Sequence, residues 1–195
     1  MRSRRRSGGI TAARSALICA AVGASALVPA TAQAEETTCR GTIGAGTVDN
    51  LRVPDGASCT LEGTRVQGTV KVETEATLRA KGVRVIGNVQ GENARRVNVV
   101  RRSRVGGSVQ VVQGTFAKVK KSRINADILY DENGGRLRAI SNRVGGNIQA
   151  FKNTAGLEIT TNRVDGNLQC KENEPAPTGG GNVVQGNKED QCASL

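Results

Sequence analysis

Apolar and polar residues alternate along this chain in a pattern that returns every 19 or 20 residues. Each period opens with an arginine and an aliphatic residue, continues through a short turn and reaches a second aliphatic residue. Residues 143–149, Arg-Val-Gly-Gly-Asn-Ile-Gln, are one example, and a truncated copy occupies residues 184–187. The full copies start at Arg65, Arg84, Arg104, Arg123, Arg143 and Arg163. A fixed short period is typical of a solenoid, in which each repeat buries its apolar face against its neighbours.

The alternation within one period predicts short β-strands. Val144, Ile148 and Ala150 alternate with polar residues in the first part of a period, and Leu137-Arg138-Ala139 alternates in the second. Glycine and asparagine between these stretches favour tight turns. Three short strands fit into one period, so the chain is predicted to be an all-β, single-domain parallel β-helix with about 20 residues per coil. Hairpins in a β-sandwich are the alternative, although hairpins require no fixed period.

The coil interpretation assigns side chains to the inside and to the outside. Residues predicted to stack inside, at the ~4.8 Å spacing of paired strands, are Val66, Val85, Val105, Ile124, Val144 and Val164. One outward column is Thr69, Asn88, Ser108, Asp127, Asn147 and Asn167. A second is Lys71, Gln90, Gln110, Leu129, Gln149 and Gln169. Stacked amides hydrogen-bond along the coil axis, so both columns are interpreted as structural.

Residues 1–34 are typical of a secretory signal peptide. An arginine-rich start precedes an uncharged stretch, residues 15–30, and Ala32-Gln33-Ala34 has the A-x-A form of a cleavage site. A membrane anchor is the alternative, but Pro29 and Gln33 make the stretch short and polar. The mature chain is therefore expected to begin at Glu35, in a secreted or cell-wall-associated protein. Ordinary charge explains the arginines better than a twin-arginine signal does.

Composition narrows the possible chemistry. The chain carries 28 Lys and Arg, 17 Asp and Glu and no His, a net charge of +11. Removal of residues 1–34 takes away five arginines and leaves a net charge of +6. Without histidine, Ser-His-Asp triads and His-ligated metals are excluded, and no cofactor is predicted. The expected organisation is an N-terminal cap at residues 35–46, the repeat domain at 47–187 and a polar tail at 188–195.

Four cysteines lie after residue 34, and an even number in an exported chain predicts disulfides. Cys39 and Cys59 are 20 residues apart, which is one coil. Cys170 and Cys192 are 22 apart, one coil plus some slack. One bond at each end of the solenoid is therefore predicted. A metal site is disfavoured, because the two pairs are distant and lack the Cys-x-x-Cys spacing.

Both ends of the solenoid are predicted to resist further strand pairing. Pro54 interrupts the first coil on one side, and residues 175–181, rich in proline and glycine, replace a strand of the last coil. These residues are expected to pair poorly. Because open strand edges recruit other chains, such interruptions favour a monomer.

A basic surface is the candidate binding site. Nine basic residues and no acidic residue lie between Arg95 and Arg123. An anionic cell-wall polymer or an acidic polysaccharide would neutralise such a surface, whereas a basic surface that only keeps the protein soluble is the alternative. Nucleic acid is not expected, because this region offers only Phe116 for stacking on bases. The residues predicted to bind are Arg79, Arg101, Arg102, Lys118, Lys120, Lys121 and Arg138.

The Gly-Asn-(Val/Ile/Leu)-Gln motif carries a family resemblance over residues 47–187. These repeats resemble the right-handed parallel β-helix repeats of uncharacterised secreted bacterial proteins. They are also similar, more weakly, to bactofilins, cytoskeletal β-helices that polymerise end to end. The predicted signal peptide and disulfides depart from the bactofilin pattern. The resemblance implies a fold and its right-handedness, and it implies no activity.

A polysaccharide-active, lyase-like enzyme is an alternative function, because β-helix folds host such enzymes. Paired carboxylates or a metal-neutralised uronate would be needed, but Asp127, Asp131 and Glu132 belong to a single coil. Coils of 19 or 20 residues also leave no long loops to build a cleft. The sequence therefore predicts a secreted structural or binding solenoid without catalytic residues. A self-assembling, bactofilin-like scaffold is the remaining alternative.

Overall fold

The structure, a computed structural model, describes residues 35–195. These residues form 25 short β-strands, numbered along the chain, and three sheets that each take every third strand. Sheet A contains β1 (Glu36–Thr38), β4 (Asn50–Val53), β7 (Val70–Val72), β10 (Val89–Glu92), β13 (Val109–Val112), β16 (Ile128–Asp131), β19 (Ile148–Phe151), β22 (Leu168–Lys171) and β25 (Lys188–Asp190). Sheet B contains β2 (Thr42–Ile43), β5 (Ser58–Glu62), β8 (Thr77–Lys81), β11 (Arg96–Val100), β14 (Ala117–Lys120), β17 (Leu137–Ile140), β20 (Leu157–Thr160) and β23 (Thr178–Gly180). Sheet C contains β3 (Thr47–Val48), β6 (Arg65–Val66), β9 (Arg84–Val85), β12 (Arg104–Val105), β15 (Arg123–Ile124), β18 (Arg143–Val144), β21 (Arg163–Val164) and β24 (Val183–Val184).

The chain visits sheets A, B and C once per coil, and neighbouring coils pair in parallel. In the central coils the paired residues are 19 or 20 positions apart, as Val105 is from Ile124 and Lys118 is from Arg138. The predicted all-β parallel solenoid and its coil length are confirmed. The β-sandwich alternative is wrong, because a sandwich of hairpins would pair its strands antiparallel.

The core is one stack of aliphatic side chains that runs through the coils. All six residues predicted to stack inside sheet C are at most 1% exposed. The largest fully buried side chain is Tyr130, whose hydroxyl donates a hydrogen bond to the backbone oxygen of Arg138 at 2.9 Å. Burial raises the pKa of Tyr130 well above its ordinary value of 10.0.

Two ladders of buried asparagines fill the corners of the later coils. Asn133, Asn153 and Asn173 stack where sheet A turns into sheet B, and Gln191 ends that ladder. Asn142, Asn162 and Asn182 stack where sheet B turns into sheet C. Each side-chain oxygen accepts from the coil before it, and each side-chain nitrogen also donates to a backbone oxygen. These ladders satisfy polar backbone groups that the turns would otherwise leave buried and unpaired.

The outward column predicted at the Gly-Asn turns also forms hydrogen bonds between coils. The side-chain oxygens of Asn88 and Asn147 accept from the backbone N–H of Ser108 and Asn167, each at 2.8 Å. In the glutamine column, Gln149 Nε2 donates to Gln169 Oε1 at 2.9 Å. Both columns therefore stabilise the stacking of coils.

A covalent cross-link lies at each end. Cys39 is bonded to Cys59 and Cys170 to Cys192, with Cα–Cα distances of 5.6 Å and 5.2 Å. The pairing expected from the one-coil spacing is the one observed. A disulfide that closes a loop of this length contributes roughly 3 kcal/mol in the chain-entropy account.

The ends pair more extensively than the proline and glycine content indicates. Residues 175–181 were expected to pair poorly, but β23 pairs with β20 over Glu158–Thr160. The expectation was wrong because Gly179 and Gly180 adopt φ of 140° and 144°, an extended backbone that needs no side-chain packing. Strands β1 and β2 lie in the predicted cap, residues 35–46, and β25 lies in the predicted tail, residues 188–195.

The predicted signal peptide, residues 1–34, lies outside the described residues. Across residues 35–195, no helix has the length and hydrophobicity needed to cross a membrane.

Candidate functional site

The predicted basic residues divide between the outer face of sheet B and one corner of the coil. On sheet B, the outward column runs Thr60, Arg79, Asn98, Lys118, Arg138 and Glu158. Asn98 therefore separates Arg79 from Lys118, and Glu158 follows Arg138. The face is not a continuous row of positive charge.

Acidic neighbours neutralise part of this face. Arg138 Nε lies 3.1 Å from a carboxylate oxygen of Glu158. Lys81 Nζ donates to Glu62 at 2.8 Å, and this hydrogen bond lowers the pKa of the Glu62 carboxyl. Of the seven residues predicted to bind, Arg138 alone forms an ion pair within residues 35–195.

The other basic residues meet where sheet B turns into sheet C, on two adjacent coils. Arg101 and Arg102 follow β11 and precede Arg104, whereas Lys120 and Lys121 end β14 and precede Arg123. We call Arg101, Arg102, Lys118, Lys120 and Lys121 the basic corner. Arg101, Arg102 and Lys121 are exposed there, and Lys120 is half-buried.

The basic corner requires a left-handed backbone. Arg101 and Arg102 each have φ of 62°, and Lys121 has φ of 50°. Glycines occupy this turn in other coils, as Gly63 and Gly82 do. A non-glycine residue in this conformation costs roughly 1 kcal/mol. Since Ser141 and Thr161 adopt the same conformation without carrying charge, the strain belongs to the coil geometry.

A second basic surface lies on sheet C, where sequence analysis assigned no binding role. The arginine that opens each repeat points outward and is exposed, because the aliphatic residue after it points into the core. These arginines pair in register along six consecutive coils. We call them the arginine column: Arg65, Arg84, Arg104, Arg123, Arg143 and Arg163. Thr47 precedes the column and Val183 follows it.

The arginine column has almost no internal compensation. Within residues 35–195 its sole ion pair joins Arg163 Nε to Asp165 at 4.0 Å, and Arg123 Nε donates to the Asn125 side-chain oxygen at 3.3 Å. Like charges about 4 to 5 Å apart repel by about 1 kcal/mol even in water. Like-charged residues directly opposite each other on paired strands are destabilising. The column therefore costs folding free energy unless ions or a ligand neutralise it.

A strip of small and polar residues borders the arginine column. Its members lie two positions after each arginine: Gln67, Ile86, Gly106, Asn125, Gly145 and Asp165. Two shallow depressions open here, one of ≈ 460 Å³ over Gly106 and one of ≈ 250 Å³ over Gly145. A Cβ on either glycine would collide with a backbone oxygen of the preceding coil. Glycine therefore keeps the depressions open beside the guanidinium groups.

The largest groove, ≈ 960 Å³, lies on the outer face of sheet A and carries mixed charge. Arg52, one of its lining residues, is bound by Glu36 at 3.2 Å and by Glu73 at 3.3 Å. Within residues 35–195, no three His, Cys, Asp or Glu side chains are arranged to hold a metal ion. The groove is therefore a weaker candidate for binding a charged ligand than either basic surface.

Comparison with models of protein families, with curated proteins and with solved structures finds no match to this chain. The functional argument therefore depends on the geometry of the chain itself. The arginine column could have been found from the sequence, because the repeat alignment places one arginine immediately before each inward aliphatic residue. The residue spacing of 20 likewise marks both asparagine ladders.

Proposed function

We propose that this protein is an exported β-solenoid that binds an anionic polymer at or outside the cell surface through its basic corner. One observation carries the proposal: Arg101, Arg102, Lys120 and Lys121 meet on adjacent coils without an ion pair within residues 35–195. Concentrated positive charge without internal partners attracts polyanions over long distances. The regular core supplies a rigid support for it.

Two features support export. The two disulfide-bonded cysteine pairs fit an oxidising compartment, because cytosolic thiols are kept reduced. The residues before Glu35 have the sequence pattern of a signal peptide. Expression of the full chain in a bacterial host, followed by mass spectrometry of the secreted protein, tests this. A chain that stays in the cytosol and retains residues 1–34 would contradict export.

A salt-dependent binding screen against acidic glycans and wall polymers tests the basic corner. The variant Lys118→Ser/Lys120→Ser/Lys121→Ser removes three charges and should weaken binding about tenfold, because each contact near a surface is worth about 0.5 kcal/mol. Binding should also weaken as salt rises.

A matched control removes the same charge elsewhere. Lys152→Ser/Lys171→Ser/Lys188→Ser lies near sheet A, where Lys152 and Lys171 already have acidic neighbours. This variant should retain nearly all of the affinity. Equal losses in the two variants would mean that net charge, and not the basic corner, drives binding. No loss in the first variant would disprove the role of the corner.

A further inference from the structure

We propose that the arginine column is a binding site for an extended carboxylated polysaccharide, which lies parallel to the solenoid axis. The ligand class belongs to the anionic polymers of the proposed function, but the site is on a different sheet and does not depend on the basic corner. The basic corner attracts by charge, and the arginine column adds a repeating geometry.

The spacing of the column matches a regular ligand. Paired strands lie ~4.8 Å apart, so the five steps from Arg65 to Arg163 span roughly 24 Å along the axis. An extended chain of pyranose rings advances by close to one such step per ring. A polyuronate of this form carries one carboxylate per ring, so its charge density along the axis equals that of the column.

The choice of residue points to an oxyanion ligand. The basic corner mixes lysine and arginine, whereas the six positions of the column are all arginine. If charge alone were required, lysine would serve equally well. The planar guanidinium instead offers a fork of N–H donors that matches a carboxylate in a bidentate geometry. The near absence of ion pairs within residues 35–195 leaves these donors available.

The bordering strip favours a sugar over a phosphodiester chain. Asn125 offers both a donor and acceptors, and Asp165 offers only acceptors when ionised. Hydroxyl groups can pair with both, whereas the ionised oxygens of a phosphodiester cannot donate to Asp165. The depressions over Gly106 and Gly145 leave room for rings beside the guanidinium groups. No aromatic side chain lines either depression, as stacking on nucleobases would need.

The ends of the column bound the ligand. Thr47 and Val183 occupy the column position in the coils before and after it, so the positive row stops at both ends. A ligand that occupies the whole column therefore has about six charged units, one for each ~4.8 Å step. Affinity should rise with each added unit up to that length and then level off.

Oligogalacturonates of two to ten units are suitable probes, with poly(glycerol phosphate) as the phosphodiester polymer. Binding to the disulfide-bonded chain of residues 35–195 is measured by calorimetry. The wild type should gain affinity up to about six units and bind the oligogalacturonate more tightly than a phosphodiester chain of equal charge. Arg104→Gln/Arg123→Gln/Arg143→Gln should weaken binding of the hexamer at least tenfold. Arg104→Lys/Arg123→Lys/Arg143→Lys keeps the charge and should remove most of the preference for carboxylate.

Controls separate this proposal from the basic corner. The Lys118, Lys120 and Lys121 variant should lower affinity without moving the length at which it levels off. Melting curves establish that each variant is folded, and Thr47 shows that an uncharged polar side chain fits the register. Affinity that is independent of length, an unaffected Gln variant or tighter binding of poly(glycerol phosphate) would each overturn the inference. If the Gln variant binds normally and the lysine variant does not, the proposed function stands and the column has no role in it.

Discussion

The buried asparagine ladders and the exposed arginine column both repeat once per coil, but their polar groups are treated in opposite ways. In the ladders, Asn153 and Asn162 use both side-chain atoms in hydrogen bonds to neighbouring coils. In the column, six charges stack in register with one ion pair at 4.0 Å within residues 35–195. Repetition with complete pairing stabilises a fold, whereas repetition without it is a cost that a ligand can relieve.

The difference follows from where each set lies. A buried amide without a partner loses its hydrogen bonds to water, so a ladder survives only if every member is satisfied. An exposed guanidinium stays hydrated, so water and ions make its unpaired state tolerable. Substitutions should therefore destabilise the fold inside and stabilise it outside.

The largest expected effect comes from breaking a ladder at its centre. Asn153→Ala leaves two buried donors of Asn133, the backbone N–H and one side-chain N–H, without the oxygen that accepts them at 3.0 Å and 2.9 Å. Each unpaired buried group costs about 1 to 3 kcal/mol, so a loss of about 3 kcal/mol is expected in denaturant unfolding. Asn187→Ala, in the exposed last turn, is the control and should change stability by less than about 0.5 kcal/mol. Equal effects would mean that the ladders do not stabilise the fold.

The second effect is the pH dependence that Tyr130 confers. Burial raises the pKa of its hydroxyl above 10.0, so the folded chain keeps the proton at a pH where the unfolded chain loses it. The stabilisation is complete below about pH 10 and falls by about 1.4 kcal/mol per pH unit above it, until the folded state ionises. Tyr130→Phe should lose this part of the alkaline slope.

The chain has one Tyr and no Trp, so tyrosinate absorbance reports on Tyr130 alone. The folded protein should show no tyrosinate band near pH 10, whereas the protein in denaturant should show it. Lysines also titrate in this range, and the comparison with Tyr130→Phe separates their contribution. Ionisation near pH 10 in the folded state would contradict the burial argument.

Sequence alone predicted the inside of the molecule well. The period of 19 or 20 residues and the alternation around Val144 were sufficient to place the core, the coil length and both disulfide-bonded pairs. The reason is that burial acts on every coil in the same way, so the pattern is repeated many times. The ends were predicted less well, because pairing at Gly179 depends on a backbone conformation that residue type alone does not determine.

The outside was harder to predict, because charge compensation depends on which side chains meet. That Glu158 neutralises Arg138 follows from the register of sheet B, which no single repeat reveals. The arginine column was overlooked for a different reason. Its residues defined the start of the repeat, and a position used to align the coils was not considered as a surface.

The arginine column provides the third prediction, which has the opposite sign from the first. Arg104→Thr removes a charge between Arg84 and Arg123 and places a β-branched residue in a strand. It should stabilise the fold by up to about 1 kcal/mol in denaturant unfolding. Arg79→Thr is the matched control, because its neighbours in sheet B, Thr60 and Asn98, carry no charge. A greater loss of stability in Arg104→Thr than in Arg79→Thr would show that the column is not under electrostatic strain.

The smallest expected effect is the response to salt, which tests the same repulsion without changing the chain. Raising NaCl from 0.1 to 1 M shortens the screening length from about 10 Å to about 3 Å. The shorter length lies below the ~4.8 Å step between arginines, so the repulsion within the column is largely screened. Wild-type stability should therefore rise by roughly a few tenths of a kcal/mol more than that of Arg104→Thr, since general effects of salt on burial are common to both. Equal increments would mean that the arginines already avoid one another in solution, and the free energy available for a polyanion to relieve would be correspondingly small.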